Sequence, residues 1–427
     1  MRGILRIYGK VVKVSGVYVE AYNTEGAIGD LVEIITSDGD KIRGEIIGFS
    51  EDKCIVMPFG HVSGIKAEDK VFIRRERVST YVGEELLGKV VDPFGVSLFD
   101  GKVIANERVP IDIESINPLE RQKITHIFDT GVRTINALFT LGKGQKIGIF
   151  AGAGVGKSTL LGMITKFSEA DVVVMALIGE RGREVREYVE DVIGEGLKRS
   201  VVVVSTADQP PIVKVKGAIS AIAHARYFAS KGLNVLFIMD SITRFAMAQR
   251  EVGLAAGEPP TLKGYTPSVF YLMSKIVESC GAFTKAGSIT GIFSVLVEGD
   301  DISLDPVADS LMGVLDGHII LSRKRANAGI YPAIDPIKSL SRLMPKLVDK
   351  EHMEMALFLK ELMSSYESME DLVNMGLYSP GSNPVIDLFL KYKEDITGFF
   401  RQDFREKIDF ESSLKALKEL YTKLRSR

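Results

Sequence analysis

The stretch Lys146–Ile164, KIGIFAGAGVGKSTLLGMI, reads as an apolar strand (Ile147–Phe150), a glycine-rich turn and an apolar helix (Leu160–Ile164). Gly152, Gly154 and Gly156 carry no Cβ, so the backbone can curl until successive N–H groups point inward at a bound phosphate. The cradle comprises Gly152, Ala153, Gly154, Val155, Gly156, Lys157, Ser158 and Thr159. Lys157 brings an ammonium to the β- and γ-phosphates, and the Ser158 hydroxyl is placed to ligate Mg²⁺. The following helix turns its positive end toward the anion. Ala151 stands where the usual pattern begins with Gly, at the strand exit, where a methyl group is tolerated. The ligand expected is a nucleoside triphosphate with Mg²⁺.

In an open parallel sheet the ligand lies outside the carboxyl ends of the strands. Two carboxylates fall there. Asp240 follows the apolar run Val235–Met239, where a phosphate-loop protein places the acid that holds Mg²⁺. A lone Asp after five apolar residues is costly without a partner. Glu180 follows Val172–Ile178 in IGERGREV, placed to polarise an attacking water as a general base. A salt bridge to Arg181 or Arg183 is the plainer account of Glu180, and pattern alone leaves it open. Phosphoryl transfer also needs a cation on the developing charge. Arg181, Arg244, Arg323 and Arg342 are candidates among which spacing does not choose.

Outward from this centre the texture changes twice. Residues 1 to about 75 hold short β-branched strands, Val11–Val14, Leu31–Ile35, Lys41–Ile47, Lys53–Met57 and Lys70–Arg74, separated by turn residues, a spacing that suits a small closed barrel. From about Thr80, continuous apolar strands alternate with helices, which indicates an α/β core with a parallel sheet covered on both faces. After about Lys346 the chain is helical and charge-mixed. Its last stretch sets Leu414, Leu417, Leu420, Tyr421 and Leu424 on one face, expected to pack on its own domain.

The 427 residues are 45% hydrophobic and 26% charged with a formal net charge of −2, so no global charge points to nucleic acid. Cys54 and Cys280 are far apart and lack metal-ligand spacing, which implies two reduced thiols. The apolar runs Val201–Val204 and Val235–Met239 are strand-length, far short of the ~20 residues of a membrane span. The opening MRGILRIYGK lacks a signal core, so a cytoplasmic location is expected, compatible with a place beneath a membrane.

Several longer segments go beyond a generic phosphate loop: FAGAGVGKSTLLGMI, LIGERGREVREY, STADQPP, MDSITRFAMAQREVGLAAGEPP, GYTPSVF, SITGIFSVLVEGDD, LDGHIILSR and YPAIDPIKSLSR. Together they resemble the type III secretion ATPases, relatives of the catalytic subunit of rotary ATP synthases, over nearly the whole chain. The resemblance implies an ATPase in a homohexameric ring. Each subunit would have an N-terminal β-barrel (1–76), a RecA-like P-loop ATPase domain (77–345) and a C-terminal helical domain (346–427). It matches Glu180 to the catalytic glutamate, which non-catalytic ring subunits lack, and Asp240 to the Mg²⁺-site aspartate. Arg181 and Arg244 match arginines near the phosphates. Arg342 matches an arginine that reaches the neighbouring subunit's site, and Tyr331 the aromatic that packs on adenine. Ala151 is common in the secretion branch.

Gly253–Pro260, GLAAGEPP, resembles a loop facing the central pore, where a coiled-coil stalk protein would sit. GYTPSVF and ITGFFRQDF favour the flagellar export apparatus over the injectisome, with ATP used to release export chaperones, unfold substrates and load the membrane export gate at the inner face of the cytoplasmic membrane. Ala151, the GEPP loop and VLVEGDD count against a rotary ATP synthase subunit. The balanced charge and absence of Trp count against a hexameric nucleic-acid motor. Flagellar export ATPases usually carry an amphipathic segment ahead of the barrel that docks a dimeric stator-like regulator. Here ILRIYGKVV follows Met1 almost at once, so a shortened chain and a different docking mode are both open for that partner.

Overall fold

The computed structural model describes residues 8–22, 25–297 and 304–426. The start of ILRIYGKVV and the end of VLVEGDD lie outside them. Six antiparallel strands close a barrel: Gly9–Val14, Val19–Tyr22, Asp30–Ile35, Lys41–Ser50, Lys53–Pro58 and Lys70–Arg77. Five were visible in sequence. Val19–Tyr22 was missed because its four residues, VEAY, interrupt the β-branched pattern. Its Val19 and Ala21 are buried with Val11, Val32, Ile34, Ile46, Val56 and Val71. Closure leaves no long unpaired edge.

The central sheet runs in the order Leu340–Ser341, Gly317–Ile320, Lys146–Ala151, Ser288–Leu296, Asn234–Asp240, Val172–Glu180, Ser200–Thr206 and Lys89–Val91, parallel except at the Leu340–Ser341 edge. Successive side chains of a strand point to opposite faces, so a strand covered on both must be apolar throughout. Val172, Val174, Ala176 and Ile178 join one core, while Val173, Met175 and Leu177 join the other. Helix Pro211–Ser230 fills the first core, and helix Lys157–Phe167 contributes Leu160, Leu161 and Ile164 to the second.

Helices Lys350–Asn374, Pro384–Lys391, Lys393–Phe400 and Phe410–Arg425 complete the chain. Leu417, Leu420 and Leu424 are buried, and Leu414 and Tyr421 pack beside them, so this apolar face is used within the molecule. It meets helices Arg133–Leu138 and Lys350–Asn374. Gln402 fixes the approach: it accepts a hydrogen bond from the Arg133 N–H (2.8 Å) and donates to the Gly131 carbonyl (2.8 Å). Among the described residues no helix is long and apolar enough to cross a membrane, and both cysteines are buried and free.

One ion pair ties the barrel to the sheet's helical cover. Lys216, inside helix Pro211–Ser230, lies 2.8 and 2.6 Å from the carboxylate oxygens of Glu45, with side-chain exposures of 10% and 9%. Removing one partner leaves a charge in a dry interface. Glu45→Ala should cost about 3–5 kcal/mol of stability, and Glu45→Met with Lys216→Met should recover most of it. Chemical denaturation of the two variants checks this; equal losses in both would contradict it.

Candidate active site

The site lies where four parallel strands end. Lys146–Ala151 delivers the glycine loop, flanked by Ser288–Leu296, then Asn234–Asp240, then Val172–Glu180. Gly154 and Gly156 have φ of 77° and 90°, the left-handed region that glycine tolerates, and Val155 anchors the loop by burying its side chain in the core. Lys157, at the start of its helix, donates to Asp240 Oδ1. The same oxygen accepts the Ser294 hydroxyl at 2.6 Å. Asp240 is only 3% exposed, so these two groups compensate a charge that its apolar strand could not hold alone.

Glu180 ends its strand beyond a register shift, with Gly179 at φ 74°. A Cβ on Gly179 would lie 2.9 Å from that of Arg244, which shows how closely the helix Ile242–Ala255 passes. Arg181 and Arg183 pair with Glu184 (3.4 Å) and Glu187 (3.5 Å), so among the described residues Glu180 has no ion pair. Burial, seconded by the Asp240 charge, pushes the Glu180 carboxyl up to about 6, against the opposing pull of Lys157 and Arg244. Glu180, Asp240, Ser158 and Tyr188 line one cavity of about 200 Å³.

A second cavity of about 500 Å³ opens on the other side of the loop, between Gly156, Thr159, Tyr331, Pro332, Gln402 and Phe404. A Cβ on Gly156 would lie 3.4 Å from the Tyr331 ring, so loop and aromatic are in contact range. Tyr331 and Phe404 are each 45% exposed and offer flat apolar surface suited to a base. Phe404 was not singled out in sequence. It sits 73 residues beyond Tyr331 and reaches the pocket because the Gln402 N–H donates to the Tyr331 carbonyl at 2.9 Å. Its only early sign was its place in ITGFFRQDF.

The arginines separate. Arg244 lies beside Glu180, and the Arg323 guanidinium lies within 3.4 Å of where a Gly152 Cβ would be. Arg181 is at the start of the short helix Gly182–Glu187, its side chain 81% exposed. Arg342 is elsewhere. Its N–H donates to the Asp316 carbonyl and its guanidinium to the Met312 carbonyl (3.0 Å). The Asp316 carboxylate accepts the Lys146 backbone N–H at 3.0 Å, at the amino end of the strand whose carboxyl end carries the loop. A six-residue strand puts Arg342 on the order of 15–20 Å from the loop of its own chain. Gly253–Pro260 leaves the end of its helix and is held by Glu258, which accepts from the Ser268 N–H at 3.0 Å.

A glycine cradle, a lysine and two carboxylates at the ends of a parallel sheet define a RecA-like phosphate-loop nucleoside triphosphatase. Family models narrow this: the nucleotide-binding domain of the ATP synthase alpha/beta family matches residues 131–341, its beta-barrel domain residues 11–72, and the T3SS EscN ATPase C-terminal domain residues 348–419. The flagellum-specific ATP synthase of Aquifex aeolicus is 63% identical over 426 residues, covering 100% of this chain and 96% of that one. That of Bacillus subtilis is 47% identical (97% and 95% covered), and the type 3 secretion system ATPase of Xanthomonas euvesicatoria 44% (96% and 93%). The assembled ATPase EscN of enteropathogenic E. coli superposes with a TM-score of 0.91 at 39% identity, covering 97% of this chain and all of that one. Its complex with the central stalk EscO gives 0.88 at 38%, with the same coverage. The chain belongs to the ATP synthase alpha/beta family, within its flagellar and type III secretion ATPases, and is an ATP-hydrolysing enzyme.

A carboxyl that titrates at about 6 falls inside the assay range. If Glu180 serves as general base, kcat/KM for ATP should drop toward a limit of about tenfold per pH unit below that value. A pH–rate profile from 5 to 9 checks this, and a profile flat to pH 5 would contradict it.

Proposed function

We propose that this chain is the ATPase of the flagellar protein-export apparatus, hydrolysing ATP to release export chaperones, unfold substrates and load them into the membrane export gate. The observation that carries the assignment is the end-to-end likeness to flagellum-specific relatives, combined with Lys157, Asp240 and Glu180 meeting at one sheet end. Within the chain, residues 1–76 act as the barrel, 77–345 as the ATPase domain and 346–427 as the helical domain.

In this mechanism the N–H groups of Gly152–Thr159 hold the phosphates, and Lys157 exchanges Asp240 for phosphate oxygens. Tyr331 packs on adenine. The freed Asp240 carboxylate and the Ser158 hydroxyl are hard oxygen donors of the type Mg²⁺ takes and would hold it beside the phosphates. Among the described residues there is no cluster of three metal-ligating side chains, which suits an ion arriving with its nucleotide. Bound there, Mg²⁺ would neutralise charge shared by the β- and γ-phosphates. Glu180 accepts the proton of the attacking water; its raised pKa makes it a better base than an exposed carboxylate. Arg181 and Arg244 face the phosphates as assembly closes the site.

The distance of Arg342 from its own loop supports service in a neighbour's site, hence a homohexameric ring. The assembled state of EscN and its complex with a central stalk support the same arrangement here, with a coiled-coil stalk protein facing Gly253–Pro260. The ring would sit in the cytoplasm against the inner face of the membrane, with a dimeric stator-like regulator as a further partner and no nucleic acid. Likeness to EscN favours one second reading, the same role in an injectisome. Deleting the gene would separate the two: loss of flagella supports the first, loss of effector secretion with flagella intact the second.

Lys157→Ala should abolish turnover with weakened ATP binding, and Glu180→Gln should abolish it with binding retained; equilibrium binding beside steady-state assays would tell them apart. Arg342→Ala subunits mixed with Lys157→Ala subunits should regain activity, because mixed interfaces join an intact loop to an intact arginine. No regain at any ratio would refute the role in trans.

A further inference from the structure

Beyond Glu180 the short helix Gly182–Glu187 passes into a π-helical segment, Tyr188–Ile193, packed on the helix that carries Ser158. A π turn holds an extra residue and so re-aims the side chains at its start. Tyr188 is that first residue. It is 7% exposed, and its hydroxyl is buried with no hydrogen-bond partner among the described residues. A buried tyrosine hydroxyl ordinarily finds one, and leaving it orphaned is destabilising. Tyr188 lines the cavity of about 200 Å³ that also holds Ser158, Glu180 and Asp240, which has room for water beside the two acids.

We propose that Tyr188 is a positioning residue that orients the attacking water. Its O–H donates to the water oxygen, the water donates one of its own O–H groups to Glu180, and the remaining lone pair faces the γ-phosphorus. As the new P–O bond forms and the bond to the β-phosphate oxygen breaks, the water's proton passes to Glu180 and Tyr188 keeps its own. The inference rests on Glu180 being the general base.

Tyr188→Phe in the full chain removes only the hydroxyl. We expect kcat for MgATP to fall about 10- to 100-fold, as for loss of one directed hydrogen bond near the reacting centre, with KM for ATP and Kd for MgADP within about twofold. Affinity for MgADP with aluminium fluoride, which mimics the transition state, should fall in parallel with kcat. The melting temperature without nucleotide should not fall, since an unpartnered hydroxyl has been deleted. A normal kcat would overturn the inference, as would a loss of kcat accompanied by equal losses of MgADP affinity and melting temperature. Glu180→Gln run in parallel separates the two claims. Full turnover in Glu180→Gln overturns the general-base assignment and this inference with it. Full turnover in Tyr188→Phe alone overturns this inference and leaves that assignment standing.

Discussion

A carboxylate almost sealed from water sets the terms for the rest of the site. Asp240 sits at the end of an apolar strand at 3% exposure, and such a charge persists only if its neighbours answer it. Lys157 answers from the first turn of the glycine-loop helix and Ser294 from the adjacent strand. The pairing therefore fastens the loop to the sheet centre. The same charge reaches outward: it helps to raise the Glu180 carboxyl to about 6 and helps to keep the Tyr188 phenol protonated. One buried negative group thus fastens the loop and adds to the burial that raises both Glu180 and Tyr188.

The parallel sheet is what brings these groups together. Register aligns Leu177 with Asp240 on neighbouring strands, so Glu180 stands just beyond Asp240 at the same rim. Sixty residues separate the two in sequence, yet two adjacent strands suffice to join them. Because Val172–Ile178 and Val235–Met239 are apolar on both faces, their two acids are confined to the strand ends.

The loop, Asp240 and Glu180 were legible because their signals are local: a glycine spacing, or one acid closing an apolar run. The alternation of strands and helices gave away the α/β core for the same reason. What escaped was tertiary. Val19–Tyr22 is too short to stand out, and it becomes a strand by pairing with both Gly9–Val14 and Lys53–Pro58. Phe404 reaches the cavity beside Tyr331 because Gln402 places its segment there. The π turn at Tyr188 has no composition cue, since its widened geometry depends on packing against the helix Lys157–Phe167. Spacing could not choose among the arginines, because their separation depends on which end of the sheet each occupies.

Gln402 joins two regions that sequence would keep apart. Its backbone holds the Tyr331 carbonyl beside the base pocket, while its side chain grips Gly131 and Arg133, against which the last helix, Phe410–Arg425, is packed. Such a bridge ties the pocket and the terminal helices to one shared residue. If nucleotide shifts the position of those helices, then any protein that binds them in the shifted position must tighten nucleotide by the same factor. On that condition the far end of the chain is a handle on the nucleotide, as much as the nucleotide is a handle on it.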